Sequence, residues 1–453
     1  MVRFDQESKE NIYAKGGTAM LHDPSHRPVV PEEKEIVLSR GDKDILRRLG
    51  SRIAEISGDK INEINARNWT LLNDKKSVKP MVWINEVPWH EMNVNEELTV
   101  RCTHPWARNL EETLRRTIFQ WDHFRGDMVV SPFIECPLAI HSTDFGIVED
   151  VDTAMTDDKN DIYSRHFKIQ IKEPEDIEKI KMPVVTHFEK ATQYSYDAMC
   201  DIFEGIIPVK KVGQTHIWYT PWDYLIRWWG VQEAIMDLVM RPDMVHDIYE
   251  KMVQAWMTEL DQFEEQNLLS LDCNNTRVGS GGYGYTTELP GTDYDPGHVL
   301  AKNMWGCSNA QIFSTVSPQM HWDFAIEHDL KWLKRFGLTY YGCCEPLDLK
   351  VSYLRRIPNL RKISVSPWCK SGRIIEDIGT DYVISRKPNP AIVAGNIFDE
   401  AQAEKEIREF MDLTEGRSHV ELIFKDISTV RYDPERLFKW EKIAMRVAGD
   451  FAK

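Results

Sequence analysis

The feature that most constrains this chain is a rhythm. From about residue 78 to the end, short runs of apolar, β-forming residues alternate with longer amphipathic stretches. Runs too short for helices, separated by segments with apolar residues every three to four positions, predict strands of a mainly parallel sheet with helices packed on it. Eight strands are predicted, at residues 81–85, 128–134, 208–213, 268–272, 338–342, 362–366, 382–385 and 420–424. That number, with helices between, favours a closed (β/α)8 TIM barrel over an open doubly wound sheet. The barrel is expected to span residues 78–453. Residues 1–77 read as an N-terminal helical extension packed on it, with apolar spacing at 44–56 and 60–72 suited to helices on a surface.

Charge and composition exclude several function classes. With 56 basic against 72 acidic residues the net charge is −16, and no local basic stripe offsets it. Such a surface repels nucleic-acid phosphates and anionic membranes alike. No apolar stretch approaches the ~18 residues of a membrane span, and residues 1–15 lack the apolar run of a signal peptide. Eight cysteines are scattered without a disulfide framework, which predicts a reducing, cytoplasmic setting.

In barrels of this type the catalytic groups lie at the carboxyl ends of the strands. The strand ends carry Glu86, Trp89 and His90; Glu135, Cys136 and His141; His216, Trp218 and Tyr219; Asp272 and Cys273; the run Tyr340 to Pro346; Trp368 and Cys369; Arg386 and Lys387; Lys425 and Asp426. The densest group is at the fifth strand, where Cys343, Cys344 and Glu345 combine soft and hard metal donors. Successive strand residues face opposite ways, so the two thiols can share a ligand only if the chain turns there, as Gly342 and Pro346 allow. The plainer alternative is a pair of inert cysteines. The only glycine cluster, residues 279–284, lacks the lysine of a nucleotide loop and reads as a mobile loop over the barrel mouth. His321 and His328, seven apart on a predicted helix, read as surface or packing residues.

The order of these segments resembles the uroporphyrinogen-decarboxylase-like superfamily. Pro80-Met81-Val82-Trp83 is similar to its opening strand, residues 317–337 to the helix before its fifth strand, and residues 338–345 to the strand that carries a histidine-x-cysteine pair in its corrinoid-linked methyltransferases. The resemblance covers roughly residues 78–450. Decarboxylases of the family follow the first strand with a Met-Arg-Gln-Ala-Gly-Arg signature. Residues 85–92 here replace it and bring Glu86 and Glu91 instead, unsuited to a polyanionic porphyrinogen. The histidine of the zinc pair is Tyr341, its cysteine is Cys343, and the late cysteine position falls at Lys425 and Asp426.

The resemblance therefore implies the methyltransferase component of corrinoid-dependent O-demethylases. Its substrate class would be a methoxylated aromatic, and its partner a separate corrinoid protein, because no Asp-x-His-x-x-Gly motif for a cobalt-ligating histidine occurs here. The expected catalytic residues are Glu86, His216, Asp272, Tyr341 and Glu345. Trp83, Trp89, Trp218, Tyr219, Trp222 and Trp368 are expected to enclose a flat ring. Cys343, Cys344 and Asp426 are the candidate zinc ligands, with activation by a proton donor as the metal-free counterpart. A homodimer is compatible with this reading. The rival readings are methyl transfer from an amine or thiol, decarboxylation of a small acid, and non-catalytic binding of an aromatic ligand.

Overall fold

The computed structural model describes residues 29–154 and 164–452. The polar stretch at residues 1–15 lies outside them. Eight strands run parallel to their sheet neighbours: β1 (Met81–Ile84), β2 (Ile134–Pro137), β3 (Val209–Val212), β4 (Trp305–Ser308), β5 (Leu338–Tyr341), β6 (Leu360–Val365), β7 (Val383–Arg386) and β8 (His419–Phe424). Six form one sheet in the order β1-β8-β7-β6-β5-β4, and β2 pairs with β3 in another. The fold is thus α/β with parallel sheets. Among the described residues, the ladder does not close into the continuous eight-stranded barrel expected from the sequence.

Two strand expectations are corrected. Residues 268–272 are not a full strand: Leu269 makes a single parallel bridge to Gln214. The missed strand is β4, whose sequence Trp-Gly-Cys-Ser carries too little apolar pattern to stand out. Residues 128–130 are buried but unpaired with any strand, because side chains from an earlier helix take their backbone groups. In the helix Ile61–Asn73, Asn62 accepts from the Val130 N–H (2.8 Å), Asn65 donates to the Met128 carbonyl (3.0 Å) and Trp69 donates to that of Asp127 (2.8 Å). This helix is therefore sewn into the core rather than laid on a surface. The helix Arg40–Ser57 before it fits the amphipathic expectation: Ser39 caps it by accepting from the Asp42 N–H, and Leu46, Ile53 and Ile56 form its buried stripe.

The strands sort their side chains by alternation. Val82, Ile84, Tyr341, Ile363, Val365, Ile384, Leu422 and Phe424 face the helices in the largest core cluster, against helices such as Pro242–Glu265 and Glu435–Asp450. Trp305, Cys307, Leu338 and Tyr340 face the other way, towards Val278. That inner face is filled by the glycine cluster. Residues 278–284 are all buried in a tight hairpin, with Val278 N–H donating to Gly282 O (2.9 Å) and Arg277 opposite Tyr283. The expectation of a mobile loop over the mouth is wrong, and the glycines show why. A Cβ at Gly282 would come 2.5 Å from the Trp69 ring, and one at Gly281 would come 2.5 Å from a Glu421 oxygen. Only bare backbone fits this space.

The hairpin is held by a sealed ion pair. Lys362 and Glu421, on β6 and β8, meet at 2.9 Å with no exposed side-chain surface. Glu421 accepts from the Gly282 N–H (3.1 Å) and Lys362 donates to the Tyr283 carbonyl (3.2 Å). No helix among the described residues is long and apolar enough to cross a membrane.

Candidate active site

At the carboxyl ends of β1, β5 and β8, and at the start of the buried hairpin, four charged groups meet. The Arg277 guanidinium donates to Glu86 Oε1 at 2.6 Å. The other Glu86 oxygen lies 3.5 Å from Lys425 Nζ and accepts from the Asp426 N–H at 3.2 Å. Lys425 Nζ is 2.9 Å from both Asp426 carboxylate oxygens and 3.4 Å from Cys343 Sγ. Burial works against the charge on Glu86, yet Arg277 and Lys425 outweigh it and hold the carboxyl far below its usual range. Burial likewise opposes the Lys425 ammonium, but Cys343, Glu86 and Asp426 together push it well above an ordinary lysine.

The backbone here is unusual. Glu86 and Asp426 are the second residues past the ends of β1 and β8, and both sit in the left-handed region, with φ of 53° and 57°. Non-glycine residues in that region store roughly 1–3 kcal/mol of strain each, a cost that clusters at functional sites. The turn places the two carboxylates on either side of Lys425 while leaving them 35% and 45% exposed. A sealed structural pair has no such opening.

The thiols adjoin this group. After β5 the chain turns at Gly342, with φ of 98°, which brings neighbouring side chains to one side. Cys343 and Cys344 Sγ are 3.7 Å apart, and Cys344 Sγ also lies 3.3 Å from an Asp426 carboxylate oxygen. The hydrogen bond from Cys344 and, against burial, the Lys425 ammonium pull the Cys343 thiol below its ordinary value, while Cys344 is pushed up. Beneath them, Lys387 Nζ donates to the Tyr340 hydroxyl (2.6 Å) and to Ser385 Oγ (2.5 Å). Its burial brings it down to about 7.

The expected residues divide sharply. Glu86 and Asp426 belong to the charged group, and Cys343 and Cys344 adjoin it. Trp83 contacts Tyr283 with ring centroids 4.5 Å apart, and Trp218 lies beneath the Arg277 guanidinium at 5.9 Å. His216 stands beside Trp218, at 6.0 Å, but burial and the Arg277 charge lower it to about 3. Both causes favour the neutral form of its imidazole.

The other expected residues lie apart from this group or are held by neighbouring groups. Tyr341 faces the helix layer, where its hydroxyl bonds His321 Nε2 at 2.7 Å; its inward neighbour Tyr340 takes the interior place. His321 is accordingly fully buried, the packing alternative of the sequence reading. Glu345 is wholly buried and accepts from the Cys343 and Ala310 N–H groups at 2.9 and 3.1 Å, so it fixes the turn that carries the thiols. Asp272 does not join them: both its oxygens accept from the Trp305 N–H, at 3.0 and 3.1 Å, at the start of β4. Glu91 anchors the segment after β8 through Thr429 and Val430.

Three of the aromatic residues are packing groups. Trp89 lies against Phe119 and Phe124, Tyr219 stacks on Trp332 at 4.6 Å, and Trp222 donates to the Phe324 carbonyl. Trp368 is 69% exposed and encloses nothing.

Sequence reasoning missed Arg277 and gave no role to Lys425 or Lys387. Arg277 follows no strand, so the strand-end rule passed over it; the polar run 272–277 just before the glycines was the available signal. Two further groups lie at the tips. Among the described residues, Asn85, beyond β1, is buried with no partner for either amide atom, and Asn309, beyond β4, has none for its Nδ2.

The zinc expectation meets an obstacle in the donor set. The Lys425 ammonium stands between Cys343 and Asp426, where a divalent cation would compete with it. Among the described residues no three His, Cys, Asp or Glu side chains gather in a metal-holding group. The arrangement present does not fit the ion.

A solved structure of a methyltransferase from Methanosarcina mazei shares this fold, with a TM-score of 0.50 at 10% sequence identity, over 86% of this chain and 99% of that one. No family model matches the chain, and no curated protein matches it either.

Proposed function

We propose that the chain is a methyltransferase that cleaves a methyl ether, with methoxylated aromatics as its substrate class. The methyl group would pass to the cobalt(I) corrinoid of a separate corrinoid protein docked over the strand tips. The observation that carries this reading is the Lys425 ammonium, fixed at the strand ends between Glu86, Asp426 and Cys343. The shared fold with a methyltransferase supports it.

Breaking an aryl methyl ether leaves negative charge on the ring oxygen, and that charge sets the barrier. A positioned cation in a site shielded from water lowers such a barrier most, typically by about 10²–10³-fold per group. Lys425 holds that charge without needing to change protonation. Lys387, near neutral and bonded to the Tyr340 hydroxyl, exchanges the proton that finally resides on the oxygen. Trp83 and Trp218 flank the ring, and the free amide atoms of Asn85 and Asn309 orient its polar substituents. The corrinoid supplies the nucleophile when its carrier docks.

The same reading treats the two parallel sheets as arcs of one (β/α)8 barrel. The Gln214–Leu269 bridge and the bond from the Asp127 N–H to the Val82 carbonyl support it where the ladder is interrupted. Eight unbridged cysteines support a cytoplasmic setting.

Arg277 and Lys425 favour one second reading, decarboxylation of a small acid whose carboxylate they would grip. One experiment separates the two. The protein is incubated without oxygen with chemically reduced cobalamin and a panel of methoxyarenes, and methylcobalamin and free phenol are measured. The account expects both products in equal amounts. Carbon dioxide released from small aromatic acids without cobalamin, with no phenol from any methoxyarene, would overturn it.

A further inference from the structure

Whatever the mouth acts on, the two adjacent thiols beside Lys425 have a property of their own. Neighbouring strand residues normally point to opposite faces, which keeps consecutive cysteines apart. The left-handed turn at Gly342 removes that separation here, and the sulfurs stand 3.7 Å apart with Cys344 partly exposed. Two structural details hold them so. Glu345 clamps the Cys343 N–H, and the Ser364 hydroxyl donates to the Cys343 carbonyl at 2.7 Å, so the turn is fixed from both sides. Among the eight cysteines no other two are neighbours in sequence.

We infer that Cys343 and Cys344 form an oxidant-sensitive dithiol site, closed by peroxide to a disulfide between adjacent residues and reopened by thiols. The step balances as follows. One thiol is oxidised by hydrogen peroxide to a sulfenic acid with release of one water. The second thiol attacks that sulfur, its proton leaves with the hydroxyl as a second water, and the S–S bond forms. Two electrons pass from the two sulfurs to the broken O–O bond. Cα atoms joined by a trans peptide are ~3.8 Å apart, below the ~4.4–6.8 Å of ordinary disulfides, so this bridge is readily reduced and suits reversible use. Once closed, Cys343 no longer offers its thiol to Lys425, and the ammonium is left to Glu86 and Asp426. The mouth is thereby switched to a different charge arrangement.

Peptide mapping tests this on the full chain. Trypsin releases residues 336–350, which contain both cysteines and no other. The native protein is treated with one equivalent of hydrogen peroxide, denatured, alkylated with iodoacetamide and digested. The expected peptide is unalkylated and about 2 Da lighter than its reduced form, and dithiothreitol restores two alkylation sites. In Cys344→Ser, where the resolving thiol is gone, the same treatment leaves a sulfenic acid on Cys343 that dimedone traps. Two alkylated cysteines in the wild-type peptide, at a dose that oxidises other thiols of the chain, would overturn the inference. So would a stable single-oxygen adduct in place of the bridge.

Discussion

The chain holds two clusters of opposite charges on the same sheet, one at Lys362–Glu421 and one at Lys425–Glu86–Arg277. They differ in position, burial and backbone conformation. The first lies within the strands, is fully sealed, and spends its remaining hydrogen bonds on the hairpin backbone. The second lies past the strand ends, rests on two left-handed residues, and leaves its carboxylates partly open. Charge alone therefore does not mark a site here. The outer cluster is set apart by its partly open carboxylates together with the buried Asn85 next to Glu86, whose amide has no partner among the described residues.

If that division holds, damage to the inner cluster is felt in stability and damage to the outer one in turnover. A large stability loss is expected for Lys362→Met, which removes the cation that meets the Glu421 carboxylate in the sealed interior. Denaturant unfolding should show a loss of about 3–5 kcal/mol. Gly282→Ala presses a methyl group into the Trp69 ring and should cost about 1–3 kcal/mol by the same measurement; an unchanged midpoint would mean that the hairpin does not fill the interior tightly.

Lys387 gives a pH test of the region between the two clusters. Its folded value is lowered by burial to about 7, so between there and the ordinary lysine range the unfolded chain binds the extra proton. Its contribution makes stability rise with pH across that window, by at most ~1.4 kcal/mol per pH unit, and the penalty is complete below it. Lys387→Met should flatten that slope in a comparison of unfolding midpoints from pH 7 upwards. The smallest stability change is expected for Trp218→Ala, under about 1 kcal/mol, since its side chain is only partly buried. Its effect should appear instead as a raised KM for ring substrates, whereas Trp222→Ala, in the sealed core, should unfold the chain by about 3–5 kcal/mol.

Much of the fold was legible because strand sequences such as residues 338–342 and 420–424 are short, apolar and flanked by amphipathic helices. β4 was not, because Trp-Gly-Cys-Ser has no apolar run, and its pairing comes from neighbours distant in sequence. In the site, the strand-end rule found Glu86, Cys343 and Asp426 but could not tell inward from outward residues. Tyr340 and Tyr341 are adjacent in sequence, and only packing decides that Tyr340 faces inward and Tyr341 faces the helices. Asp272 and Glu345 stand out in the sequence as carboxylates near strand ends; that they accept from backbone amides depends on segments distant in sequence, Trp305 and Ala310 among them. Arg277 was hidden because it reaches the mouth from a hairpin that no local pattern places inside the sheet.

The most direct test of the outer cluster is the methyl-transfer rate of Lys425→Met, measured with reduced cobalamin and a methoxyarene that the wild type demethylates, alongside its unfolding curve. The account predicts a rate about 10²–10³-fold lower with the unfolding midpoint close to that of the wild type. A wild-type rate in this variant would contradict it.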